Sequence, residues 1–148
     1  MVVRPFLLYG WWVSRGCDVG VSPDGGLFSP LTVLTCVCDA TIPVASLTLH
    51  TSLNAIGVDM GRGFGAVVDA IGNAGAESNG KPFVIYHDVI DEQTNGDIEI
   101  CIPVPAGTVL PGDPVRYREL PGGPVATTVH RGPYQEISPA YHVVTGWI

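Results

Sequence analysis

The sequence predicts an α+β fold assembled from βαββ units, and three observations carry that expectation. Strands are read over 41–51, 82–87 and 97–104, the first and last of them from near-alternating apolar residues. A stripe of apolar residues with helical period lies between the first two of these. A further run of strand, glycine-proline corner and helix then leads to the C-terminus. The chain reads as one complete βαββ unit from Ile42 to Val104 and the first half of a second, which stops at Ile148 just after its helix. A protein made of two such units normally places its site between them.

In the first strand, Val44, Leu47 and Leu49 interleave with Ser46, Thr48 and His50, and Pro43 marks its start or an edge. The helix is expected over Asn54–Asn73, with Met60, Phe64, Val67, Val68 and Ile71 on one face. Gly61, Gly63 and Gly65 weaken this helix in isolation by about 1 kcal/mol each relative to Ala. They lack the spacing of a phosphate loop, so close packing of helix on sheet is the expected reason for them. Asn73–Gly80 is a loop by composition, Pro82–His87 a strand, and Asp88–Gly96 a hairpin connection with an Asn95-Gly96 turn signal. Asp97–Val104 alternates cleanly: Ile98, Ile100 and Ile102 should lie under the helix, with Glu99 and Cys101 on the other face. Their neighbours there would be either Val84 and Tyr86 or a flanking strand. After a loop over Pro105–Pro114 come strands Val115–Leu120 and Val125–His130, separated by the Pro121–Pro124 turn. Ile137, Tyr141, Val144 and Ile148 repeat the helical stripe; either Ser138 is the N-cap with Pro139 at the first helical position, the preferred reading, or a first turn at Pro133 precedes it.

With 148 residues, 46% hydrophobic and 14% charged, the chain can bury the core of one globular domain. Nineteen Gly and thirteen Pro suit many turns between short strands. The net charge is −7 and the pI about 4.7, and the seven Lys and Arg form no run. Phosphate contacts dominate nucleic-acid affinity, so direct binding of nucleic acid by this chain is not expected. An acidic surface suits cationic ligands and equally serves solubility. Cys17, Cys36, Cys38 and Cys101 have no zinc spacing and read as reduced thiols of a cytoplasmic protein. Phe6–Val13 imitates a signal peptide, but it is short, broken by Gly10 and followed by Arg15. No membrane span is expected. Residues 1–34 read as a poorly specified extension and 35–148 as the folded domain.

Four runs, in order, carry a resemblance: Pro82–Asp88, Gly96–Val104, Leu120–Ala126 and Val129–Tyr134. Together they resemble the GyrI-like small-molecule-binding domain, also called the AraC-type effector-binding domain. It occurs as the sensor half of bacterial multidrug-responsive transcription regulators and as stand-alone proteins. The resemblance covers roughly residues 41–148. It implies duplicated βαββ modules whose antiparallel strands form a concave sheet, with helices on one face. Such a sheet receives a planar, apolar and often cationic effector between aromatic rings, without a cofactor. Family members also include small-molecule hydrolases and an inhibitor of DNA gyrase. The family's ligand-facing carboxylate lies on second-module strands beyond Ile148, so it transfers to no residue here and the second module is incomplete. The ligand site is then half built, or the sequence is truncated, or a partner chain, in a homodimer or from another protein, supplies the rest.

Tyr86, Glu99, Tyr134 and Trp147 are the candidate ligand-binding residues. Tyr86, at a strand end opposite in face to Phe83 and Ile85, is expected to stack on a ligand, or else to be an ordinary half-buried tyrosine. Glu99, expected on the same concave face as Tyr86, would attract a cation, or else be a solvated strand glutamate. Tyr134 at the Gly-Pro corner and Trp147 on the second helix would close the cleft, or serve packing. If the protein is an enzyme, Glu99 is the general base and Tyr86 the proton donor of a small-molecule hydrolase. His50, His87, His130 and His142 show no metal-ligand spacing, and a buried structural thiol is the common fate of a residue such as Cys101.

Overall fold

The structure is a computed structural model that describes residues 7–9, 34–38, 41–127 and 139–142. The strands are β1 (Leu7–Tyr9), β2 (Leu34–Cys38), β3 (Ile42–Thr51), β4 (Phe83–Tyr86), β5 (Gly96–Pro103), β6 (Arg116–Leu120) and β7 (Gly123–Thr127), with helix α1 (Ile56–Asn73) after β3. The fold is α+β, and β3–α1–β4–β5 is the βαββ unit expected from the alternation and the helical stripe.

The described elements divide between two compact units. The first holds α1 and a five-stranded antiparallel sheet in the order β1-β4-β5-β3-β6. Its edge strand β1 comes from the segment to which the sequence assigns no element. The second contains the antiparallel pair β2-β7 and the helical residues 139–142. The expected start of that helix at Ser138 lies outside the described residues.

Register fixes the two faces of the five-stranded sheet. Leu47 pairs with Ile100 and Val84 with Ile100, so the three side chains share a face. That face carries the main core: Ala45, Leu47, Val84, Ile98, Ile100 and Ile102 pack with Val67, Ala70 and Ile71 of α1. The alternation in β5 thus delivers its three isoleucines under the helix, as expected.

Gly63 explains why the helix tolerates a glycine there. A Cβ at this position would collide with Ile100 Cδ1 and stand 2.9 Å from Leu49 Cδ1. Gly61 and Gly65 face open space, so close packing accounts for one of the three glycines rather than for all of them. The helix begins without a side-chain cap at Ala55. Its first turn is instead tied to the sheet, because Thr51 Oγ1 at the end of β3 donates to Asp59 Oδ2 at 2.6 Å. The carboxylate also complements the helix N-terminus. The helix ends where Gly75 takes φ +66°. There Ala76 N donates to Ile71 O (3.1 Å) and Gly75 N to Gly72 O (3.0 Å), the double closure that a glycine permits after a helix.

Candidate buried ion-pair site

The sheet face turned away from α1 is built by the same register. Ile85 pairs with Glu99 and Phe83 with Cys101. Thr48 pairs with Glu99, Ser46 with Cys101 and Arg116, and Val44 with Arg118. Val44, Phe83, Ile85, Cys101 and Leu120 form a second buried cluster on this face. Within it sits Glu99, whose side chain is 1% exposed.

A carboxylate removed from water needs donors, and Glu99 has them. Arg118 Nη1 donates to both Oε1 and Oε2, each at 2.9 Å. His87 Nε2 stands 3.1 Å from Oε2. Because β3 lies between β6 and β5, the Arg118 side chain spans a strand to reach Glu99. Arg118 remains 42% exposed and His87 34% exposed, so the buried acid is bracketed by two groups that reach solvent. Cys101, two residues along β5, is fully buried. Its thiol is pushed up to about 12, first by burial, then by the Glu99 charge, with Arg118 opposing. It is a neutral packing group rather than a nucleophile.

The sequence-based expectation for this face needs one correction. Tyr86 and Glu99 do not share it. Tyr86 pairs with Ile98 and packs, half-buried, against the helix-side core, while Glu99 pairs with Ile85 on the opposite face. The reason is parity: the β4–β5 register sets Phe83 and Ile85, not Val84 and Tyr86, beside Cys101 and Glu99. A hydrolytic pairing of a Glu99 base with a Tyr86 proton donor is therefore not assembled. Tyr134 and Trp147 lie outside the described residues. Phe64 packs against the main core as expected.

Arg118 and His87 are the partners that sequence reasoning passed over. His87 continues the odd-numbered face of β4 after Phe83 and Ile85, a signal readable once the register is known. Arg118 gives no such signal, because nothing local places β6 beside β3. Among the described residues no group of three or more His, Cys, Asp and Glu is placed to hold a metal ion. Among the same residues no helix is long and apolar enough to cross a membrane.

A structural comparison finds the same fold in a chain from a cryo-EM structure of an EcmrR–DNA complex in EcmrR-RPo. The match has a TM-score of 0.62 and 20% identity over 80% of this chain. This chain spans 44% of the length of that one. A search of curated proteins finds no match. A family model, the GyrI-like small molecule binding domain, matches residues 40–148, which include every strand of the βαββ unit and the Glu99–Arg118–His87 cluster. The chain belongs to the GyrI-like small-molecule-binding domain family.

Proposed function

We propose that this protein is an effector-binding domain that takes an apolar, positively charged small molecule on the sheet face turned away from α1. The observation that carries the reading is Glu99: a carboxylate 1% exposed among Val44, Phe83, Ile85 and Leu120, joined to solvent through Arg118 and His87. An acid in an apolar setting attracts a cation more strongly than one in water, and the apolar surround takes the body of the ligand. Duplicated modules, a bacterial cytoplasmic setting and a role as a transcriptional sensor or sequestering protein belong to the same proposal. Family membership supports the small-molecule partner. In this role Tyr86 acts from the helix side of β4 as packing behind the site, while Tyr134 and Trp147 remain proposed ring contacts.

The test is a thermal melt with and without a panel of lipophilic cations and their neutral isosteres. A ligand at roughly 100 times its dissociation constant adds about 2.7 kcal/mol, a shift of several degrees for a domain of this size. We expect cations to raise the melt of the wild type and Glu99→Gln to remove most of that rise. A cooperative melt indifferent to every compound would turn the reading toward a protein partner.

A further inference from the structure

Resting on that effector-binding reading, we propose that Arg118 is a tethered stand-in for the ligand's cation. On this view the cluster selects an amidinium or primary ammonium on an apolar body, a cation with N–H donors. Three observations lead there. First, the seat is already cation-shaped, because a single nitrogen, Arg118 Nη1, bridges both oxygens of Glu99 at 2.9 Å each. Any occupant that takes this seat must return N–H donors to the same oxygens, since an acid 1% exposed has no water to fall back on. A quaternary cation carries charge but no N–H, so it cannot replace the bond it breaks. Second, the present occupant has a way out. Arg118 lies on β6, an edge strand that among the described residues pairs with β3, and its side chain is 42% exposed while its partner is buried. Swinging outward returns the guanidinium to water, whereas Glu99 stays fixed in the middle of the sheet between Thr48 and Ile85. Third, His87 holds Glu99 from another side, at 3.1 Å to Oε2, and keeps one donor on the carboxylate during an exchange. On the same face Ser46, Cys101 and the apolar cluster adjoin the seat, and the next acid along β5, Asp97, is engaged by His50 Nδ1 at 2.7 Å.

Ligand and Arg118 then compete for one seat, and the resident side chain lowers apparent affinity by the fraction of time it occupies Glu99. The probes are benzamidine, an aryl amidinium at neutral pH, and phenyltrimethylammonium, which matches it in size and charge but has no N–H. Arg118→Gln keeps a neutral amide donor near Glu99 while removing the competing charge. Isothermal titration should show benzamidine binding Arg118→Gln about tenfold more tightly than wild type, as expected for a seat occupied nine-tenths of the time. Phenyltrimethylammonium should not gain, and Glu99→Gln should abolish the benzamidine signal. Circular dichroism checks the fold of each variant. If Arg118→Gln does not fold, Arg118→Lys, whose shorter cation reaches Glu99 less well, decides the matter by a smaller gain of the same sign. Equal benzamidine affinity in wild type and the Arg118 variants, still lost in Glu99→Gln, overturns the competition and leaves the effector reading standing. Binding of neither cation to any folded variant overturns both.

Discussion

The two faces of the five-stranded sheet are made by the same strands and do different work. On the helix side, Ala45, Leu47, Val84, Ile98, Ile100 and Ile102 meet Val67, Ala70 and Ile71 with no buried charge among them. On the other side the alternate residues of those strands form an apolar cluster around Glu99, Arg118 and His87. Burial is comparable, since Ile98 and Ile100 are 0% exposed and Glu99 is 1% exposed. The difference lies in what burial costs. Apolar groups gain by leaving water, whereas a carboxylate loses hydration that only well-placed donors restore. The face that keeps such a group at its centre is the one proposed above to take a ligand, and the opposite face holds the apolar core.

This contrast can be broken most sharply on the helix side. Ile100→Ala should cost about 2–5 kcal/mol, because a fully buried isoleucine under the helix leaves a cavity that a packed sheet closes poorly. Urea denaturation would measure it, and a loss below 1 kcal/mol would mean that this face is not the main core.

Within α1, Gly61, Gly63 and Gly65 offer a finer probe of the same face. Gly63→Val should destabilise by about 1–3 kcal/mol through overpacking against Ile100 and Leu49. Gly65→Ala and Gly61→Ala, which meet open space, should instead stabilise by up to about 1 kcal/mol from helix propensity. Opposite signs at positions two residues apart are the signature of a helix laid on the sheet at Gly63.

The other face is probed more gently through Cys101. Its thiol has an ordinary value of 9.0 and is pushed up to about 12 in the fold. A raised value means that the folded state holds the proton more tightly than the unfolded chain. The associated stability is therefore complete below about pH 9 and is lost as pH rises toward about 12. Alkylation with iodoacetamide at pH 8, followed by peptide mapping, should leave Cys101 unmodified in the native protein and label it fully in urea. Prompt native labelling would show the face around Glu99 to be open rather than buried.

Much of the fold was legible from local pattern. The alternation of Asp97–Val104 placed the three isoleucines under the helix and set Glu99 and Cys101 opposite them, because a strand's side chains alternate whatever its neighbours are. The stripe from Met60 to Ile71 located α1, because helical period is a property of the segment itself. Which residues accompany Glu99 was not legible. That depends on the offset between β4 and β5, and a shift of one residue exchanges Ile85 for Tyr86 beside the acid. Arg118 was further out of reach. Its meeting with Glu99 requires β6 to lie along β3 and the side chain to cross that strand, and strand order is a long-range outcome of packing. The sequence by itself determined the elements, the buried isoleucine face and the acid on the opposite one. Only the tertiary structure decided that this acid is buried and already holds a cation, because pairing register and strand order are set by contacts between segments distant along the chain.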